Sequence, residues 1–168
     1  MRDDLGRGFE PELGDKIICL RNCWDTRSEK NEDPLINGSI GHIKSMRMES
    51  VEYILLGEVI TAPLLIADIE TSNDIYREIG IDYKALTTGE KFFTPQQEYY
   101  LRRNKENPEL PIEFNFGYAI TGHRAQGSQW KNVLVLEESF PFDKIEHARW
   151  MYTTSTRAEE KLTLILKN

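Results

Sequence analysis

The chain changes texture near Phe114, and that break rules out a single repeating architecture. Before it, short β-type runs are punctuated by glycine and asparagine turns; after it, apolar strand-like runs alternate with a helical pattern. Charge follows the same division. Residues 1–113 carry a net −8 and residues 114–168 a net +1, within a total of −7 over 168 residues. An acidic total argues against bulk attraction to nucleic acid or to an anionic membrane, so any nucleic-acid contact has to be local.

With 39% hydrophobic and 29% charged residues, the chain can build a core and is not read as disordered. Its length fits one domain or two small ones, too little for a large multidomain motor. No apolar run approaches the ~18 residues of a membrane helix, and the start, MRDDLGRGFEPELGD, has no secretory apolar core. The expectation is a cytoplasmic chain with no membrane partner, in which Cys19 and Cys23 stay reduced. Their C-x3-C spacing lacks a second pair and a nearby histidine, so no metal site is expected. Cys19, inside the run IICL, reads as core.

From Gly14 to about Ala62 the pattern reads as all-β. Lys16 to Arg21 is a strand-like run, a polar loop passes through Glu29 to Pro34, and Asn37-Gly38 is a tight-turn signal before Ser39 to Ile43. Val51 to Ile60 reads as a further strand broken by Gly57. Short twisted strands with glycines at the corners predict a small barrel of the SH3 or OB type. Pro63 to Pro111 is less informative. Thr71-Ser72-Asn73-Asp74 offers caps for a short helix ending near Gly80. Thr94-Pro95-Gln96-Gln97 is a capping box that opens a helix to about Asn104. That helix carries Tyr99, Tyr100, Arg102, Arg103 and Lys105, either a stacking and clamping face for a nucleic-acid strand or a solvated surface.

The last third is patterned for chemistry. Phe116 to Ile120 reads as a strand, followed by a polar, small-residue turn from Thr121 to Ser128. Val133-Leu134-Val135-Leu136 is a continuous apolar run of the kind buried on both faces of a parallel sheet. Asp143 caps a helix with Glu146 at its third position, and Ile145, Ala148, Met151, Tyr152 and Ser155 make one stripe predicted to be buried. The helix is expected to end near Arg157, before a final buried strand from Leu162 to Leu166. The order strand, loop, strand, helix, strand is half of a RecA-like α/β sheet. Taken alone, Arg157 reads as a helix-terminal arginine on the last carbonyls, and His123 as a structural histidine.

Two segments change that reading. Tyr118 to Trp130, YAITGHRAQGSQW, followed by the strand Asn132 to Leu136, resembles the T-x-H-K-S-Q-G-S-E-F segment of superfamily 1 helicases. Arg149 to Leu162, RWMYTTSTRAEEKL, resembles their later Y-T-x-x-T-R-A segment. At the front, Gly14-Asp15-Lys16-Ile17-Ile18, Asn22 and Asn37-Gly38-Ser39-Ile40-Gly41 are similar to the entry into an SH3-like insertion in the RecD and Dda type branch. The implied fold class is α/β: a partial RecA-like lobe of the P-loop NTPase type, the second motor lobe, from residues 1–13 and 111–168. An SH3-like small β-barrel at 14–62 and a mixed helical insertion at 63–110 would interrupt it.

The resemblance implies roles residue by residue. Arg157 would be an arginine finger that neutralises charge on the transferred γ-phosphoryl group. Gln126, Gly127 and Gln129 would line the nucleotide cleft with Arg157. Thr121, His123, Arg124 and Ser128 would approach single-stranded DNA as sequence-neutral donors. Gln129 stands where many relatives have Glu, Gly122 where they have an apolar residue, and Arg124 where they often have Lys. No G-x-x-x-x-G-K-[ST] occurs anywhere, and no convincing acidic pair follows a buried strand.

The sequence reading is therefore the C-terminal part of an ATP-dependent DNA helicase with 5′ to 3′ polarity. ATP and Mg2+ would be used only with a missing first lobe, and the isolated chain is expected to be inactive. Its partners would be single-stranded DNA and that N-terminal RecA-like lobe; its setting would be repair, recombination or phage-type replication. The alternative is a non-enzymatic DNA- or protein-binding module derived from a helicase.

Overall fold

The longest element is a hairpin. Ile40–Leu55 (β4) and Glu58–Glu70 (β5) pair antiparallel from His42 opposite Glu70 to Leu55 opposite Glu58, with an irregularity between Ile43 and Ser45. The computed structural model describes residues 6, 8–137 and 143–166. It divides the chain into two compact units, residues 1–119 and 120–168. Of the residues 1–13 expected to join the motor lobe, 1–5 and 7 lie outside the described residues.

The first unit is built on a five-stranded sheet. Lys16–Cys19 (β1), β4, β5, Ile75–Asp82 (β6) and Phe114–Phe116 (β7) lie in the order β6-β5-β4-β1-β7. Cys23–Arg27 (β2) and Pro34–Leu35 (β3) form a separate antiparallel pair. Alternation along β1, β5 and β6 sends Ile17, Cys19, Leu65, Ala67, Ile69, Ile79 and Ile81 into one core with Leu35, Ile43 and Phe114. A second cluster joins Tyr53 and Ala62 of the hairpin to Phe93 and Leu101. There the Tyr53 and Phe93 rings meet edge to face at 5.1 Å.

Three expectations are corrected in this unit. The strands do not close into a barrel: among the described residues the outer strands β6 and β7 are not paired with each other, and a single bridge joins Ile81 to Ile112. The reason is length, since β4 and β5 pair along almost their whole extent and make an extended ribbon rather than short barrel staves. The strand read as Val51 to Ile60 is two strands joined by a turn at Leu56 and Gly57, both at positive φ (54° and 89°). The helix expected after Asp74 is strand β6. Asp74 instead accepts the backbone N–H groups of Lys30, Asn31 and Ile75 at 2.9, 2.7 and 2.7 Å.

Tyr83–Thr88 (α1) is capped by Asp82, which accepts from Ala85 N. Pro95–Arg103 (α2) has the expected capping box: Thr94 Oγ1 accepts Gln97 N at 3.3 Å, and Gln97 Oε1 accepts Thr94 N at 2.9 Å. Its basic and aromatic face is internally paired. Arg103 donates to Tyr99 OH at 2.7 Å, and Arg102 lies 3.5 Å from Glu98. Among the described residues no helix is long and apolar enough to cross a membrane.

The second unit is a strand, helix, strand unit. Trp130–Leu136 (β8) and Ala158–Ile165 (β9) run parallel, and Lys144–Ser155 (α3) connects them in sequence. The parallel pairing agrees with the sequence reading, but two details are corrected. The expected strand at 116–120 is the short β7, which pairs antiparallel with β1 in the first unit. The runs expected to be buried are largely open: Leu134 is 64% exposed, Ile145 65% and Tyr152 72%. Two strands and one helix are too few to cover a sheet patterned for burial on both faces.

Candidate functional site

The segment from Thr121 to Gln129 is a run of tight turns that leads into β8. Ala125 N donates to Thr121 O at 3.1 Å, Gln126 N to His123 O at 3.3 Å, and Ser128 N to Ala125 O at 3.2 Å. The Thr121 hydroxyl accepts Arg124 N at 3.4 Å. These bonds bury Ala125 and leave Thr121, His123, Arg124, Gln126 and Gln129 exposed, with Ser128 half-buried. Gly127 takes φ +84°, the left-handed turn expected of it. A backbone tied to itself that presents five polar side chains outward is suited to gripping a polar ligand.

Arg157 stands at the junction of α3 and β9. Asp143 starts that helix by accepting Ile145 N and Glu146 N at 2.9 and 3.1 Å. Glu146 does not complete a capping box; its carboxylate takes Arg149 at 2.7 Å. At the far end Thr156 N donates to Tyr152 O at 3.0 Å, and Arg157 N to Thr154 O at 3.2 Å. The Arg157 side chain folds back over this turn. Its Nε donates to Thr153 O at 3.0 Å and its Nη2 to the Thr156 hydroxyl at 3.0 Å. The half-buried guanidinium therefore completes a helix terminus in this conformation, the first of the two roles open to it from the sequence.

The turn segment and Arg157 meet through the backbone. Trp130 N donates to Arg157 O at 2.9 Å, so the end of the 121–129 segment is fastened to the residue just before β9. A second contact lies higher on the helix. A Cβ on Gly122 would fall 2.4 Å from Thr154 Cγ2 and 2.7 Å from Trp150 Nε1. Glycine at 122 is thus a steric requirement of α3 packing against the turns.

Trp150, Thr154, His147 and Glu137 escaped the sequence reading. His147 Nε2 pairs with Glu137 Oε1 at 2.9 Å, and its ring lies 5.7 Å from the Trp150 ring. Thr154 is buried and its hydroxyl donates back to the carbonyls of Trp150 and Met151, both at 3.0 Å. The available signal was the small residue at 122 facing a helix with His, Trp and Thr at positions 147, 150 and 154. Among the described residues no three His, Cys, Asp or Glu side chains converge into a metal site.

Residues 116–165 match the family of UvrD-like helicase C-terminal domains. That segment includes the whole turn run, α3 and Arg157, so this end of the chain is similar to the C-terminal domain of UvrD-like helicases. An uncharacterised protein of Acanthamoeba polyphaga mimivirus is 37% identical over 57 residues, covering 33% of this chain. The matched region spans 12% of that relative's length.

Proposed function

We propose that this chain works as the C-terminal part of an ATP-dependent superfamily 1 DNA helicase, supplying an arginine finger and contacts to single-stranded DNA. In this reading residues 1–13 and 111–168 belong to the second RecA-like lobe, and 14–62 and 63–110 are insertions in it. The observation that carries the proposal is the bond from Trp130 N to Arg157 O, which links the candidate DNA segment to the candidate finger within the family-matched region. A shift of the turns on a DNA backbone would reach Arg157 without passing through side chains.

The polar residues fit sequence-neutral recognition. Thr121 and Ser128 offer hydroxyls, His123 a ring N–H and Arg124 a guanidinium, all suited to phosphate oxygens. Gln126 and Gln129 are neutral amides suited to the nucleotide's polar edges. For ATP the fit is partial: a guanidinium and two amides are present, but no phosphate loop and, among the described residues, no acidic cluster for Mg2+. Those parts would come from an N-terminal lobe. Arg157 would leave Thr153 and Thr156 when that lobe presents a γ-phosphate, exchanging two neutral acceptors for a charged one. Polarity from 5′ to 3′ is part of this reading.

The test uses the complete helicase polypeptide with its phosphate-loop lobe. Arg157→Ala is expected to lower DNA-stimulated ATP turnover by ~10³ to 10⁵, with nucleotide binding retained. An unchanged rate would sink the finger assignment; a parent reading frame without a phosphate loop upstream would favour the second reading, a non-enzymatic binding module. Against the finger role stands the engagement of Arg157 with Thr153 and Thr156, which a structural arginine would also show.

A further inference from the structure

A groove of about 540 Å³ opens between β2 and the stretch that follows α2. One wall is the run from Arg21 to Thr26, and the other holds Leu101, Arg102, Lys105, Glu109 and Leu110. Successive side chains of a strand alternate between faces, so consecutive β2 residues lining one groove mean that it runs along the edge of the strand. β3 takes one edge of β2, and among the described residues no strand takes the other. Trp24, Asp25 and Thr26 also stand outside the register with β3, which pairs at Cys23 and Arg27. An open strand edge is a template for a further strand.

The far wall is held in place by the hairpin. Asn107 Oδ1 accepts Ile54 N at 2.6 Å and its Nδ2 donates to Leu101 O at 3.2 Å. Tyr53 OH donates to Glu109 O at 3.0 Å, and Arg21 Nη2 reaches across to Leu110 O at 3.3 Å. Within this frame Trp24 is 59% exposed, a large rigid ring of the kind that anchors protein contacts. The charges are unevenly satisfied. Arg21, Arg102 and Lys91 share the one carboxylate of Glu98, at 4.0, 3.5 and 3.6 Å, and Lys105 has no ion pair among the described residues. Against Arg21, Arg102 and Lys105 the lining sets two carboxylates, Asp25 and Glu109.

We propose that this groove docks an extended acidic peptide segment of a partner protein, added as a third strand beside β2 and β3. The backbone of the segment pairs with the open edge of β2, and its alternate residues supply carboxylates for Arg21, Arg102 and Lys105 and apolar side chains for Trp24 and Leu110. The charge balance selects a short segment over a nucleic-acid strand. A polynucleotide running out of the groove meets a stretch, residues 1–113, that carries −8, whereas a peptide with a few carboxylates keeps its charge beside the cations. The site lies wholly within the 1–119 unit and is independent of Arg157 and the 121–129 turns.

The experiment titrates the full chain into a fluorescein-labelled hexapeptide of alternating aspartate and leucine and reads anisotropy. Saturable binding that weakens as salt rises is expected, with a lysine and leucine hexapeptide left unbound. Two further versions of the acidic peptide carry N-methyl groups on alternate amides, in opposite phase. One phase should abolish binding and the other keep it, because only alternate amides of an added strand face its neighbour. Trp24→Ala and Lys105→Glu, both at exposed side chains, should each weaken binding about tenfold with the circular dichroism unchanged. The proposal is overturned by absence of saturable binding, by equal behaviour of the two methylated phases, or by unaltered affinity in both variants. Tighter binding of labelled oligothymidylate than of the acidic peptide would overturn it too, and would mark the groove as a nucleic-acid surface.

Discussion

Asp74 shows how much one side chain organises. Burial by itself pushes its carboxyl up, but the amides of Asn31, Ile75 and Lys30 and the Ser28 hydroxyl outweigh that and hold it down, at about 2. It thereby pins the loop at Lys30 and Asn31 to the start of β6, across more than forty residues of chain. A carboxyl whose folded value lies below its ordinary 3.8 contributes stability that is present above pH 3.8 and is lost as pH falls toward about 2. The expected outcome is that the thermal midpoint drops more steeply over that window than in Asp74→Asn, whose neutral amide does not titrate. Parallel curves for the two proteins would remove Asp74 as the source. The sequence offered Thr71 to Asp74 as caps for a helix, and that helix is absent. What Asp74 does instead was not legible, because two of its three amide partners lie far away in sequence.

At the scale of elements, legibility follows the range of the interactions. The caps at Thr94 and Asp143 were readable because donor and acceptor lie within three residues. The β4–β5 turn was hidden because Leu56, a residue that rarely adopts positive φ, sits where asparagine usually precedes the glycine. In the candidate site the polar residues of 121–129 and Arg157 could be chosen from their types and spacing. The helix face opposite Gly122 could not, because Trp150 and Thr154 reach it only when α3 packs. That contact gives its own test. Gly122→Val places methyl groups where Thr154 Cγ2 and Trp150 Nε1 already stand; overpacking of this kind costs about 1–3 kcal/mol. Urea unfolding of the full chain should show that loss, and Thr154→Ser, which deletes only Cγ2, should recover part of it. A neutral Gly122→Val would mean that α3 does not pack on the turns.

For the whole molecule, the two units handle apolar surface differently. The 1–119 unit gathers most of its strand isoleucines and leucines into two clusters, though Leu56, Val59 and Trp24 stay exposed, and it carries ion pairs on its strands, such as Arg77 with Asp68 and Glu29 at 2.9 and 3.0 Å. The 120–168 unit leaves much of its sheet open, although Val135 is buried. In β8 and β9, Val133 stands opposite Leu162 and Val135 opposite Leu164 on one side, and Leu136 opposite Ile165 on the other. Leu134, Leu136, Leu162, Leu164 and Ile165 are all exposed. A parallel pair that is apolar on both faces calls for more layers than one twelve-residue helix. Each leucine left in water forgoes roughly 1.5–3 kcal/mol of burial, a strong drive to find cover. The purified chain is therefore expected to bind an apolar dye and to self-associate as its concentration rises, read by fluorescence and sedimentation. Leu134→Lys combined with Leu136→Lys should reduce both while leaving the circular dichroism of the 1–119 unit in place. If the double change alters neither dye binding nor association, the open face of β8 is not the adhesive surface, and the drive lies elsewhere on the chain.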